Sequence, residues 1–222
     1  IPTELGLLTK LSRLYLHDND LIGSIPTEIG NLVMLVDTMW SSNLLHSTLP
    51  SEIGSLSSLW RLVLSNNSLS GTIPTEVGFL KNLAMPNANS FSFKDFVGLK
   101  LDKISFDGRL PSEIGLLSSL PGLVLQGNKL SGVIPQELFA LAENGFLADL
   151  NVTGNIGLSG LIPQNVCLAD MLFDFDCGPS LCGCACPCEG TLIETQQGTC
   201  RTTQANNSIH KKLIKFHHFE LY

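Results

Sequence analysis

The sequence predicts an α/β solenoid, and three observations predict it. Seven prolines, Pro2, Pro26, Pro50, Pro74, Pro111, Pro135 and Pro163, recur at intervals of 24, 24, 24, 37, 24 and 28 residues. One phrase returns around them: Ile25-Pro26-Thr27-Glu28-Ile29-Gly30, Leu49-Pro50-Ser51-Glu52-Ile53-Gly54, Ile73-Pro74-Thr75-Glu76-Val77-Gly78 and Leu110-Pro111-Ser112-Glu113-Ile114-Gly115. Between the prolines, pairs such as Leu62 and Leu64 alternate like a half-buried strand. A fixed period of about 20 to 30 residues is the signature of a stack of like coils. Fold and function are therefore read coil by coil.

Each coil opens with a three-residue strand. Leu14/Leu16, Leu62/Leu64, Leu99/Leu101, Leu123/Leu125 and Leu150/Val152 hold its inward positions, with Thr38 and Trp40 as a weaker match in the second coil. An asparagine follows the strand: Asn19, Asn43, Asn67, Asn128 and Asn155. A turn buried between stacked coils has backbone N–H and C=O groups that water cannot reach. An amide side chain offers both donor and acceptor, so these asparagines are expected to form a structural ladder with no binding role. The segment Gly-x-Ile-Pro-x-Glu-Ile-Gly then returns the chain along the opposite side. Proline suits a first helical turn and glutamate its positive end. Ile29, Leu32 and Leu35 share one inward face. Gly30, Gly54, Gly78 and Gly115 read as turn or close-packing positions.

The phrase Leu59-x-x-Leu62-x-Leu64-x-x-Asn67-x-Leu69-x-Gly71-x-Ile73-Pro74 resembles the plant-type leucine-rich repeat, and the resemblance runs from residue 1 to about 188. It implies a right-handed superhelix with a parallel β-sheet on the concave face and short 3₁₀ or loop segments on the convex face. It also implies an extracellular setting: ectodomains of receptor-like kinases and receptor-like proteins, or secreted inhibitors of wall-degrading enzymes.

The 222 residues hold about seven coils and a tail, with residues 1–166 as repeats, irregular at 84–109. A formal charge of −7 argues against a nucleic-acid surface, which needs a basic face. No apolar run reaches the roughly 18–20 residues that span a bilayer. The chain begins in mid-phrase at Ile1-Pro2, so a fragment whose upstream cap is missing is expected, with any membrane anchorage in absent parts.

The period breaks between Pro74 and Pro111. The excess falls in Ala84 to Gly98, which reads either as an insertion, of the kind that forms a hormone pocket in some receptors of the resembled family, or as a degenerate repeat whose phenylalanines plug the core. All seven cysteines fall between Cys167 and Cys200. Cys167, Cys177, Cys182, Cys184, Cys186 and Cys188 are expected to staple an end cap over residues 167–188 by disulfides, in an oxidising compartment. A zinc site, the rival, normally needs paired C-x₂₋₄-C spacing, which this alternating run matches poorly. Residues 189–222 carry no repeat and are expected to form a disordered tail.

No nucleophile motif, phosphate loop or H-E-x-x-H occurs, so no enzyme and no cofactor are expected. Binding should use the outward positions of the concave strands. The larger groups stand in the N-terminal half: Arg13, Tyr15, His17, Asp37, Met39, Arg61, Val63 and Lys100 are the expected contact residues. Tyrosine and arginine commonly anchor interfaces. Asp18, Ser41, Ser65, Asn66, Asp102, Lys103, Val124, Gln126, Asp149, Asn151 and Thr153 are outward in the same frame. Asn66 and Asn151 begin N-x-S/T sequons, expected to be glycosylated if the chain is secreted, and Asn206 begins a third. The expectation is an extracellular recognition module for a protein, peptide or glycan. A receptor-kinase ectodomain and a structural or adhesive wall protein are the alternatives.

Overall fold

The computed structural model describes residues 1–83 and 98–160, and the backbone of 172–176 and 199–201. Cys167 to Cys188 and Asn206 lie outside these residues, as does most of the irregular stretch.

Six coils stack in sequence order. In chain order their strands are β1 (Arg13–Tyr15), β2 (Ile22–Gly23), β3 (Asp37–Met39), β4 (Leu44–Ser47), β5 (Arg61–Val63), β6 (Ser68–Thr72), β7 (Gly98–Lys100), β8 (Ser105–Gly108), β9 (Gly122–Val124), β10 (Lys129–Val133), β11 (Asp149–Asn151) and β12 (Gly157–Ser159). β13 (Leu172–Asp176) and β14 (Thr199–Arg201) follow. The odd-numbered strands build one parallel sheet in the order β1-β3-β5-β7-β9-β11-β13. Its inward positions Leu14, Thr38, Leu62, Leu99, Leu123 and Leu150 lie in one register row. That row is the hydrophobic spine on which the stack is built.

β5 pairs directly with β7, Leu62 opposite Leu99. The long interval between Pro74 and Pro111 therefore encloses one coil, and the sheet passes it without a missing strand. Thr38, a polar residue on the spine, donates its hydroxyl to the Arg61 carbonyl at 3.2 Å. Trp40 is fully buried beside it.

The sequence reading assigned the rest of each coil to turns. Instead the even-numbered strands form a second parallel sheet, in the order β12-β10-β8-β6-β4-β2. Leu45, Leu69, Phe106, Leu130 and Leu158 are its buried inward residues. The two sheets meet at a turn with a constant feature. The residue before the ladder position has a left-handed backbone in every coil: Asp18, Ser42, Asn66, Lys103, Gly127 and Gly154, with φ from 52° to 73°.

The ladder itself bonds across coils. Asn67 Nδ2 donates to Leu64 O of its own coil and to Trp40 O of the previous one, while its Oδ1 accepts from Leu45 N. Asn43, Asn128 and Asn155 repeat the pattern toward Leu16, Leu101 and Leu125. Asn19, in the first coil, reaches only carbonyls of its own coil.

On the convex side five 3₁₀ turns follow the prolines, at Thr3–Leu7, Thr27–Asn31, Ser51–Ser55, Thr75–Phe79 and Ser112–Leu116. Ile53 N bonds Pro50 O, Leu56 N bonds Ile53 O and Leu59 N bonds Leu56 O, so the three side chains fall on one buried face. The turn glycines are packing seats. A methyl added to Gly6, Gly30, Gly54, Gly78 or Gly115 would come within 3.0 Å of the glutamate of the next coil, Glu28, Glu52, Glu76, Glu113 or Glu137. Glycine and glutamate of the repeated phrase are thus two halves of one contact.

The sixth coil departs from this. Phe139 stands where the glycine would be, its ring is buried, and Gln136–Glu143 forms an α-helix, α1, in place of a 3₁₀ turn. Within residues 189–222, Thr199–Arg201 pairs antiparallel with β13, Phe175 opposite Cys200. An open sheet edge offers unpaired N–H and C=O groups, and a returning strand satisfies them.

Candidate functional site

The concave sheet does not present its outward side chains uniformly. In register, Arg13, Asp37 and Arg61 form one row across β1, β3 and β5; Tyr15, Met39, Val63 and Lys100 form the next. From β7 on, the first row holds Gly98, then Gly122, then Asp149 on β11. Bulk and charge are concentrated on the first four coils.

The expectation that Asp37, Arg61 and Val63 project into solvent is corrected. All three face the concave side, but Asp37 is fully buried and Arg61 is only 5% exposed. The cause is mutual cover between adjacent strands. Arg61 grips Asp37 with Nε on Oδ1 at 2.7 Å and Nη2 on Oδ2 at 2.8 Å. Tyr15 donates its hydroxyl to the same carboxylate from the other side. The guanidinium carbon also lies 5.0 Å from the Trp60 ring centre, within cation–π range. Val63 is closed in between Met39 and Lys100 of the flanking strands.

Tyr15 itself remains 47% exposed. Desolvation of its hydroxyl end raises the phenol pKa above the ordinary value, and the hydrogen bond and negative charge of Asp37 add to this; Arg61 and Arg13 oppose it. His17 meets Tyr15 edge-on, ring centres 6.4 Å apart, and its Nδ1 has no partner among the described residues.

Between these rows and the left-handed turn lies a groove of about 440 Å³, lined on β3, β5 and β7 and the turns after them. Met39, Arg61, Val63 and Lys100, four of the eight expected contact residues, line it together. Arg13, Tyr15 and His17 stand toward the first coil, outside it, and Asp37 lies under Arg61. The turns supply the other wall, with Ser41, Ser42, Ser65, Asn66, Asp102 and Lys103. Sequence reasoning placed five of these six outward without assigning them to a site, and passed over Ser42. Its signal was positional: it stands where Gly127 and Gly154 stand in later coils. A non-glycine residue costs roughly 1–2 kcal/mol in this conformation. Four coils accept it at Asp18, Ser42, Asn66 and Lys103, and three of those side chains line the groove. Two left-handed non-glycine residues, Asp18 and Ser47, lie outside the groove.

Asn66 is exposed at the groove rim, with Nδ2 3.5 Å from Ser42 Oγ. Asn151 is half-buried, and its Oδ1 accepts from both the backbone N–H and the hydroxyl of Thr153. Among the described residues no His, Cys, Asp and Glu cluster could hold a metal ion, and no helix is long and apolar enough to cross a membrane.

The Leucine Rich Repeat family pattern matches residues 10–32 and 58–80. A solved chain of the BIR3–SERK2 complex from Arabidopsis thaliana is 34% identical over 66% of this chain and 69% of that one, with a TM-score of 0.52. This chain belongs to the plant-type leucine-rich-repeat family. The Arabidopsis receptor kinase HAESA, solved with the peptide hormone IDA and the co-receptor SERK1, is 32% identical over 74% of this chain, TM-score 0.64. The leucine-rich-repeat chain described here spans 25% of the length of that structure. A plant ice-binding protein is 28% identical over 75% of this chain and 48% of its own, TM-score 0.61. No curated protein sequence matches.

Proposed function

We propose that this chain is a non-catalytic extracellular recognition module that binds an extended protein or peptide segment across its concave sheet. The observation that carries the reading is the groove on β3, β5 and β7. It combines apolar floor residues, Met39 and Val63, with a hydroxyl- and charge-bearing wall raised on strained turns. Its floor is held rigid by the Arg61–Asp37–Tyr15 cluster. A pre-set floor lowers the ordering cost of binding. The likeness to HAESA, solved with a peptide, supports a peptide as the class of ligand, with a glycan as a further candidate. A receptor-kinase ectodomain is the more specific form of this reading, and the same likeness favours it.

The cysteine-rich end and the sequons belong to the same proposal. A glycan on Asn66 would stand at the groove rim, and one on Asn151 would cover the C-terminal half of the face. A structural wall protein shares the scaffold but leaves the groove unused, so the test is direct. Random heptapeptides displayed on phage are selected against the purified chain and re-measured against Val63→Arg, which fills the groove. The expected result is enriched peptides that lose binding to the variant while it still melts cooperatively as a folded chain. Equal binding to both proteins overturns the groove as the site.

A further inference from the structure

Among the described residues two aspartates are buried on the concave face, and only one of them has its charge met there. Asp37 receives three hydrogen bonds, two of them from a guanidinium. Asp102 is 7% exposed and lines the groove. Its carboxylate receives a single hydrogen bond, from the hydroxyl of Ser65 to Oδ1 at 2.5 Å. Among the described residues no cation pairs with it. A carboxylate withdrawn from water without a counter-charge is costly, and native structures seldom keep one without use. Ser65 is itself buried, so the hydroxyl holds Oδ1 in place and leaves Oδ2 for a donor arriving in the groove.

We propose that Asp102, oriented by Ser65, is the subsite for one basic side chain, an arginine or lysine, of an extended peptide. The proposal rests on the reading that the groove binds peptide and adds what that peptide must carry. Three further features fit it. The chain's net charge of −7 draws basic ligands toward the molecule. Met39 and Val63 offer apolar surface to the aliphatic stem of the incoming side chain. Lys100 and Lys103 also line the groove, so a cation is favoured only where it reaches Asp102 and flanking cations are repelled. The groove therefore selects a single basic residue with neutral or acidic neighbours, and rejects a polybasic segment.

The probes are three capped pentapeptides: Ser-Glu-Arg-Glu-Ser, the same peptide with citrulline for arginine, and Ser-Lys-Arg-Lys-Ser. Citrulline keeps the shape of arginine and removes its charge. Affinities are read by calorimetry against the wild type, Asp102→Asn and Val63→Arg. Wild type is expected to prefer arginine over citrulline by roughly tenfold or more, the scale of one charged hydrogen bond. It should also prefer acidic flanks over lysine flanks. Asp102→Asn should lose the arginine preference yet keep its melting temperature, because the amide oxygen still accepts from Ser65. Equal affinity of wild type for arginine and citrulline overturns the subsite, as does failure of all three peptides to bind. So does an unchanged preference in Asp102→Asn. If that preference persists while Val63→Arg abolishes binding, the groove reading stands and the Asp102 subsite alone falls.

Discussion

At the β1–β5 end of the concave face, Asp37 is sealed between Tyr15 and Arg61; at the β7 end, Asp102 has Ser65 alone among the described residues. Both carboxylates are buried to a similar degree on the concave side, Asp37 in β3 and Asp102 in the turn after β7. Burial therefore does not tell what a charge is for; the inventory of its partners does. The closed cluster is architecture, fixing β1, β3 and β5 against one another. The open one is chemistry in reserve.

The sharpest way to break this comparison is to remove the cation from the closed end. Arg61→Ala leaves Asp37 buried and unpaired and should cost about 3–5 kcal/mol in urea unfolding. A loss no larger than that of an ordinary surface substitution would make the cluster ornamental. The scaffold on which both ends depend is the next target. Gly54→Ala places a methyl 2.5 Å from the Glu76 carbonyl oxygen, which is backbone and cannot swing aside. An overpacking cost of about 1–3 kcal/mol is expected, seen as a lowered denaturant midpoint.

Tyr15→Phe removes one of the donors to Asp37 and should cost roughly 1 kcal/mol at neutral pH, the low end for a charged acceptor because the residue is half exposed. The effect is pH-dependent with a defined sign. The phenol pKa is raised in the folded chain, so the native state holds the proton more tightly than the unfolded one. The stabilisation is complete below the ordinary value of about 10 and fades as pH rises through the higher native value. Melting curves between neutral pH and about 11 should show the wild-type advantage over Tyr15→Phe shrinking only at the alkaline end.

Two smaller effects concern the open end. Ser42→Gly relieves a left-handed residue and should gain roughly 0.5–1 kcal/mol, part of the conformational cost offset by a looser unfolded chain. Asp102→Asn should not destabilise and should gain up to about 0.5 kcal/mol, since it trades an unmet charge for an amide that still accepts from Ser65. A destabilisation as large as that of Arg61→Ala would place Asp102 in the architecture with Asp37 and erase the contrast.

Much of this was legible in the sequence because the period is a physical necessity. Each coil buries its leucines against the next, so Leu62, Leu99 and Leu123 must recur in frame. The recurrent glycine and glutamate were visible too, although that they touch one another required coordinates. The second sheet was not legible: each of its strands contributes one large inward side chain, as Leu69 does, and alternation needs at least two. Phe139 in place of a glycine was a readable warning of α1. The salt bridge could have been read from Arg13, Asp37 and Arg61, 24 residues apart at one frame position. The Ser65–Asp102 pair could not, because the long interval puts 37 residues between neighbours on adjacent strands.

The central claim is that the concave groove, with Asp102 in its wall, is the face that meets a ligand. Backbone amide shift mapping on adding the Ser-Glu-Arg-Glu-Ser peptide tests it most directly. The account predicts saturable changes at Met39, Val63, Asn66 and Lys103, with His46, Ser70 and Asp107 of the second sheet unmoved. Changes confined to the second sheet, with the groove silent, would contradict it.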